Sequence, residues 1–168
     1  IAEVSASELA AVLSVDERTI SRWTKERRRS LEEERDRRIV ELYLRAWNTQ
    51  EAVAEAVGVT QRTVSNVVES RKNGQLSDFS KDFTPYLYTV WSTPKRDSER
   101  ELFGALPAVY MENLLHYHTA PLDIVYDPFA GSGTTVDVCK AMFRRYYCSD
   151  RKVLPGRESD IREWDVKD

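Results

Sequence analysis

The stretch Tyr126-Asp127-Pro128-Phe129-Ala130-Gly131-Ser132-Gly133-Thr134-Thr135 decides the fold of this 168-residue chain. A short apolar segment rich in β-forming residues, 122–126, precedes it, and a helix-like segment, 134–143, overlaps its end. A second strand-like segment, 146–148, then leads into Ser149-Asp150. Strand, glycine turn, helix, strand and acid, in this order, predict the first half of a nucleotide-binding α/β unit.

The two glycines suit such a turn to ligand binding. Gly131 and Gly133 lack Cβ, so the backbone can adopt positive φ and a ligand can approach the main chain closely. The turn ends at a helix start, where free N–H groups and the positive end of the helix dipole favour a carboxylate or phosphate. We expect Thr134 or Thr135 to cap this helix. Asp150 has the spacing of an acid that binds ribose hydroxyls.

The loop does not match the two common phosphate-binding patterns, since no lysine follows Gly133 and the three-glycine dinucleotide pattern is absent. Residues 127–135 instead resemble the S-adenosylmethionine loop of DNA methyltransferases that modify N6 of adenine or N4 of cytosine. That resemblance implies S-adenosylmethionine as the cofactor, a ribose contact by Asp150, and a contact to the adenine amino group by Asp165, with Asp160 the second choice. The cofactor-binding residues implied in this way are Asp127, Pro128, Phe129, Ala130, Gly131, Ser132, Gly133, Thr134, Thr135, Asp150 and Asp165. The alternative is an ordinary tight turn between a strand and a helix in another kind of α/β protein.

Charge, apolar content, cysteines and histidines limit the partners, location and metal binding that the sequence predicts. The 25 basic and 28 acidic residues are balanced, so no strong global field favours nucleic acid or membrane. No apolar segment is long enough to span a bilayer and no signal peptide is visible, which predicts a cytoplasmic protein. Cys139 and Cys148 fit a reduced compartment and are expected to be buried and inert. His116 and His118 are too close together to share a helical face, so we expect no metal site.

The N-terminal part contains an internal repeat at an offset of 44 residues. Leu13-Ser14-Val15 matches Val57-Gly58-Val59, and Arg18-Thr19 matches Arg62-Thr63. In the second copy we predict a helix over 50–57, a tight turn at Gly58 and a further helix capped by Thr60. In the first copy, residues 7–13 and a helix from Asp16, with Ile20 and Trp23 facing inward, repeat the pattern. Both copies resemble helix-turn-helix DNA-binding units, as in partition proteins.

A second helix that enters the major groove would present polar residues from its first turns. Arginine pairs well with guanine, and glutamine or asparagine with adenine. Residues 1–74 carry 13 basic and 13 acidic side chains, so phosphate neutralisation would add only modest affinity for double-stranded DNA. The alternative is a small helical packing or dimerisation module, and a homodimer is left open. The candidate DNA-binding residues are Arg18, Ser21, Arg22, Gln61, Arg62, Ser65 and Asn66.

The patterns along the chain, together with the two resemblances, predict an α+α/β protein in three parts. These are a tandem helix-turn-helix region over 1–72, a polar linker over 73–84 with Asn73-Gly74 as a turn or helix stop, and a partial Rossmann-like methyltransferase domain over 85–168. The charged run 27–38 is expected to be one long helix between the two repeats. In the family that the loop resembles, residues 103–107 would line the cofactor pocket, and a helix would follow Pro107.

One expected motif is missing. The DNA methyltransferases resembled here place a polar residue, Pro-Pro and an aromatic around the flipped target base, and this sequence has no Pro-Pro pair. We therefore predict no catalytic residue, and we expect an inactive fragment of a bacterial or phage-encoded enzyme. One alternative is a non-enzymatic transcription or partition regulator with a vestigial nucleotide-binding domain. Another is a methyltransferase that acts on RNA or a small molecule.

Overall fold

The computed structural model describes residues 12–13, 15–87 and 106–165. A helical part precedes a small parallel sheet with two helices, which confirms the α+α/β class in outline. The chain divides into two compact units, residues 1–38 and residues 39–168. The helices are α1 (Glu17–Leu44), α2 (Gln50–Val57), α3 (Gln61–Asp82), α4 (Ala108–His118) and α5 (Thr134–Ala141), and the strands are β1 (Ile124–Asp127), β2 (Arg145–Asp150) and β3 (Ile161–Glu163).

The first unit contains the start of the long helix α1. The Asp16 carbonyl accepts hydrogen bonds from the N–H groups of Thr19 and Ile20, and the Asp16 carboxylate accepts one from the Arg18 N–H. Ile20 is buried as predicted, whereas Trp23 is 47% exposed, so its inward orientation was wrong. Charged residues on every side of this part of α1 leave it no wide apolar face. The continuous helix through 27–38 is confirmed, and the preceding helix of the first repeat lies almost entirely outside the described residues.

The second repeat forms two helices joined by a left-handed glycine. Thr49 caps α2 by accepting from the Ala52 N–H at 3.1 Å, and Thr60 caps α3 by accepting from the Thr63 N–H at 3.2 Å. Gly58 ends α2 with φ of 73°, a conformation that costs a residue with Cβ more than it costs glycine. The predicted bounds of α2, the turn at Gly58 and the cap at Thr60 are confirmed. The buried residues of the pair are Val53, Ala54, Val64, Val67 and Val68.

The predicted helix stop at Asn73-Gly74 was wrong, because α3 continues through both residues to Asp82. One glycine inside a helix costs only about 1 kcal/mol relative to alanine. Contacts of the residues after Gly74 offset this cost. Leu76 and Phe79 pack against the core, and the Gln75 side chain donates to the Lys140 carbonyl. Most of the predicted linker is therefore helical, and the compact units divide at Arg38/Ile39 instead. The division by function at 72 and 85 stays a prediction.

The sheet is parallel, with strand order β1-β2-β3. Ile124 pairs with Arg145 and Cys148 pairs with Ile161. Helix α5 connects β1 to β2, which is the parallel crossover that the strand-turn-helix-strand order predicted. The core beside the sheet is formed by Val136, Val138, Cys139, Met142, Phe143, Tyr146, Cys148 and Ile161.

Within the unit 39–168, the segment between α1 and α2 packs directly on β2. The Arg145 guanidinium donates to the carbonyls of Tyr43, Ala46 and Asn48, at 3.1, 3.2 and 2.7 Å. The Ala46 N–H donates to the Tyr146 carbonyl at 2.8 Å. The second helical repeat and the sheet therefore share one folded unit. Across the described ranges, we find no helix with the length and apolar character needed to cross a bilayer.

Candidate functional site

Asp127 organises the glycine loop from the end of β1. Its Oδ1 accepts from the Phe129 N–H at 2.9 Å, and its Oδ2 accepts from the Thr135 hydroxyl at 2.6 Å. One carboxylate thus joins the first turn of the loop to the helix that follows it. These two hydrogen bonds hold the loop against the start of the helix, so Asp127 shapes the loop.

The two glycines of the loop serve different purposes. Gly131 has φ of 51°, and a Cβ there would meet only the Phe129 carbonyl, at 3.9 Å, so this side of the main chain is open. Gly133 has φ of 84°, but a Cβ there would lie 3.0 Å from Nε of Arg157. The expectation of free space for a ligand holds at Gly131, whereas at Gly133 a side chain of the same protein fills the space.

The predicted threonine cap of α5 was wrong, because the N-cap is Gly133 and no side chain caps the helix. Thr134 and Thr135 already lie in the helical turn, one position too late for a cap. Both are buried, and the Thr135 hydroxyl is directed to Asp127. Gly133 closes the turn by donating its N–H to the Ala130 carbonyl at 2.8 Å.

Asp150 meets the loop at the end of β2. Its Oδ2 accepts from the Gly131 N–H at 2.8 Å and its Oδ1 accepts from the Lys152 N–H at 3.1 Å. The adjacent Ser149 carbonyl accepts from the Ala130 N–H at 3.0 Å. Each carboxylate oxygen has a second lone pair, so Asp150 can still accept hydrogen bonds from ligand hydroxyls. The predicted strand-end acid and the predicted glycine loop are therefore in direct contact.

Ser149 has a buried hydroxyl group that sequence reasoning did not identify. Its side chain is fully buried, and Oγ has no hydrogen-bond partner among the described residues. A buried hydroxyl without a partner is unfavourable and calls for an explanation. Because successive side chains of a strand point to opposite faces, this hydroxyl lies on the other face of β2 from the Asp150 carboxylate.

Asp137 and Arg157 form a bidentate ion pair beside the loop. Two guanidinium nitrogens of Arg157 donate to the two carboxylate oxygens of Asp137, each at 2.7 Å. The hydrogen bonds to Asp137 outweigh partial burial and raise the pKa of Arg157. Sequence reasoning missed both residues, because a lone acid in a helix and a lone arginine in a polar loop carry no recognisable pattern.

Asp160, the second choice for the adenine contact, is a buried structural residue. Its carboxylate accepts from Lys140 Nζ at 2.6 Å, from the Tyr146 hydroxyl at 2.8 Å and from Arg45 Nε at 3.2 Å. Burial by itself raises the pKa of Asp160, but these hydrogen bonds and the charge of Lys140 outweigh it and lower the pKa. With three donors and a side chain that is only 8% exposed, this carboxylate serves the fold of the unit 39–168.

Asp165, the first choice, follows β3 and is half-buried. The neighbouring Trp164 N–H donates to the Asp150 carbonyl at 3.0 Å, which keeps this segment next to the end of β2. The adenine contact by Asp165 stays a prediction. Of the predicted pocket wall 103–107, only the last two residues lie in the described ranges.

The two cysteines of the unit 39–168 are buried, and its two histidines are exposed. Burial raises the pKa of Cys139 to about 12 and also raises that of Cys148, so both remain thiols near neutral pH. His116 and His118 are exposed in the last turn of α4, as predicted. In the ranges that the structure describes, we find no cluster of three or more His, Cys, Asp or Glu residues able to hold a metal ion.

The candidate DNA-binding residues all lie exposed at the starts of α1 and α3. On α3 these residues are exposed, whereas Val64, Val67 and Val68 of the same helix are buried. Gln61 also donates to the Gln50 side chain at 3.4 Å, across the turn between the two helices. DNA contact by these residues stays a prediction. The exposed set is Arg18, Ser21, Arg22, Gln61, Arg62, Ser65 and Asn66.

Comparison with protein families gives one match. A family model described as DNA methylase, of the N6/N4 methyltransferase type, matches residues 13–153. The match includes the glycine loop, Asp150 and the helices α1, α2 and α3. Neither a curated protein nor a solved structure matches the chain. The family match does not support the homodimer that the sequence left open.

Proposed function

Because this chain belongs to the N6/N4 DNA methylase family, we propose that it is the cofactor-binding part of an S-adenosylmethionine-dependent DNA amino-methyltransferase. The target would be N6 of adenine or N4 of cytosine. The protein would work in the cytoplasm, on double-stranded DNA.

The observation that carries the proposal is the hydrogen bond from the Gly131 N–H to the Asp150 carboxylate, 2.8 Å long. It brings together two features far apart in sequence, a bare main-chain turn and an acid at the next strand end. A nucleoside with an amino-acid tail needs both, since the acid accepts from ribose hydroxyls and the turn admits the tail. The open side of Gly131 fits a ligand that approaches the main chain at this place.

Each predicted residue then has a part in holding the cofactor. Asp150 would accept from the ribose hydroxyls, Asp165 would accept from the adenine amino group, and the 129–133 main chain would face the methionine end. Phe129, 74% exposed, supplies apolar surface beside the loop. Asp127 and Thr135 keep the loop in shape. When bound, S-adenosylmethionine supplies the methyl group for transfer to an exocyclic amine.

We assign no catalytic residue to this sequence. The polar side chain that holds the target amino group in such enzymes stands before Pro-Pro, and no Pro-Pro pair occurs in the 168 residues. The contribution of these residues to catalysis would be the positioning of the cofactor.

The helix-turn-helix units would supply DNA contacts. Gln61, Arg62, Ser65 and Asn66 stand exposed at the start of α3, where a recognition helix carries its base-reading residues. The start of α1 offers Arg18, Ser21 and Arg22 in the same way. The balanced charge of this region predicts weak binding to DNA of arbitrary sequence, because few phosphates are neutralised.

Calorimetry with S-adenosylmethionine tests the cofactor assignment. We expect the chain to bind it, and Asp150→Ala to weaken binding by at least about tenfold, because a charged acceptor of ribose hydroxyls is lost. Glu158→Ala is the control, since it removes an exposed acid from the loop between β2 and β3. Equal affinities of wild type and Asp150→Ala would refute the ribose role of Asp150.

A gel-shift experiment with duplex DNA, at stated salt, separates this proposal from its main rival. Binding of both cofactor and DNA supports the methyltransferase. Binding of DNA by a chain that does not bind the cofactor would favour a non-enzymatic regulator. Preference for RNA in the same competition would point to an RNA methyltransferase.

A further inference from the structure

The ion pair of Arg157 with Asp137 lies beside Gly133, where the Arg157 side chain fills the space next to the glycine loop. The Arg157 side chain comes so near Gly133 that a Cβ there would lie 3.0 Å from Nε and 3.1 Å from Cζ of Arg157. Contacts that short require one of the two groups to move. The missing side chain at Gly133 thus admits Arg157 to the loop.

Asp137 holds the arginine in that place. Both donor nitrogens at the end of the guanidinium are committed to the Asp137 carboxylate, at 2.7 Å each. Asp137 also lies in the first turn of α5, and its N–H donates to the Gly133 carbonyl at 3.0 Å. The side chain of Asp137 therefore holds Arg157 while its main chain holds Gly133.

The third member of this arrangement is the segment that carries Arg157. The Arg157 carbonyl accepts from the N–H groups of Asp160 and Ile161, both at 2.9 Å. Asp160 is itself fixed by three donors, and Ile161 is a buried residue of β3. Arg157 thus extends to the loop from a rigid base.

We propose that Arg157 is a positioning residue of the cofactor loop. With Asp137 it forms a clasp, which keeps the turn 130–133 in its left-handed conformation before the ligand arrives. The inference rests on the proposed cofactor site, and it adds a determinant of affinity that lies outside the glycine loop itself. A loop held in its binding conformation loses less conformational freedom when the ligand binds, so affinity is higher.

Calorimetric titration of the full chain with S-adenosylhomocysteine tests the clasp. Arg157→Gln keeps much of the side-chain length but removes the charge and the bidentate pair, and we expect binding to weaken about fivefold. Arg157→Lys keeps the charge without the fork, and should recover part of the loss. Arg71→Gln, which removes an exposed arginine from α3, is the control and should bind like wild type.

A double-mutant cycle with Gly133 provides a readout that a general loss of stability would not produce. Gly133→Ala should push the Arg157 side chain away from the loop, because its Cβ would lie 3.0 Å from Nε, and it also strains the turn, where φ is 84°. Arg157→Gln should then cost little further affinity in the Gly133→Ala background, although it costs about fivefold in wild type. Additive losses in the two variants would overturn the proposal.

The remaining outcomes are also decisive. If wild type binds and Arg157→Gln binds equally well, the clasp is refuted and the proposed function stands. If wild type does not bind S-adenosylhomocysteine, both fail together. If Arg157→Gln does not fold, as judged by circular dichroism, Arg157→Lys decides: binding two- to threefold weaker supports the clasp, and wild-type affinity overturns it.

Discussion

The carboxylate of Asp160 accepts hydrogen bonds from three parts of the unit 39–168. Arg45 follows α1, Lys140 belongs to α5 and Tyr146 belongs to β2. Its side chain is 8% exposed and that of Arg45 is 12% exposed, so water screens this pair little. Removal of one partner from such a buried group leaves the others charged or unpaired.

Asp160→Asn should therefore lower the free energy of unfolding at pH 7 by about 3 kcal/mol. Urea denaturation followed by circular dichroism measures this. Glu158→Gln, an exposed acid two residues away, should change the free energy by less than about 0.5 kcal/mol. Equal losses in the two variants would show that the buried network contributes nothing specific.

The lowered pKa of Asp160 also predicts how the stability difference between wild type and Asp160→Asn depends on pH. The folded-state pKa of Asp160 lies below its ordinary value of 3.8, so its stabilisation is present above that value and is lost as the pH falls through the folded-state pKa. The stability difference between wild type and Asp160→Asn should then be constant near neutral pH and shrink below about pH 4. A difference that stays unchanged down to acid unfolding would contradict the assignment.

At the scale of elements, two glycines of α2 and α3 look alike in sequence and differ in structure. Gly58 has φ of 73° and ends α2, whereas Gly74 lies within α3. At either position an added Cβ meets nothing within 4 Å, so packing does not distinguish them. Only the backbone conformation does, and alanine is disfavoured at the first position and favoured at the second.

Gly58→Ala should destabilise the chain by about 1–2 kcal/mol, and Gly74→Ala should stabilise it by up to about 1 kcal/mol. Chemical denaturation of both variants beside wild type measures the two signs in one experiment. Each variant is the control for the other, because the same methyl group is added to open space. Two changes of the same sign would contradict the conformations of these glycines.

These elements also show how far local sequence patterns reach. Thr49, Gly58 and Thr60 determine their turns through contacts within three or four residues, so the bounds of α2 and the start of α3 could be predicted. Asn73-Gly74 has the same local character as a helix stop, but Leu76, Phe79 and Gln75 make tertiary contacts that keep the helix going. The Gln75 contact joins residues 65 positions apart, which no local pattern reveals.

At the scale of the whole molecule, one part of the candidate site follows from local sequence patterns, and another part depends on tertiary packing. The loop and Asp150 were predictable because a strand, a tight turn and the next strand end must meet at one edge of a parallel sheet. How the segment 151–160 packs determines the rest. It sets the pairing of Asp137 with Arg157 and the three hydrogen bonds that Asp160 accepts. The polar composition of 73–84 predicted a linker where α3 continues to Asp82, and Arg145 ties β2 to carbonyls that precede α2.

Truncated proteins test whether the chain divides at 38/39, as the compact units do, or before residue 85, as the sequence predicted. A protein of residues 39–168 should keep cooperative unfolding and bind S-adenosylhomocysteine like the full chain, because it retains the whole second compact unit. A protein of residues 85–168 should lose several kcal/mol, since it lacks the carbonyls that accept from Arg145 and the Trp47 ring beside Tyr146. A loss of that size approaches the total stability of an ordinary domain, so we expect this shorter protein not to fold. Circular dichroism and denaturation compare the two, and a stable, cofactor-binding 85–168 would establish the helical region as a separate domain after all.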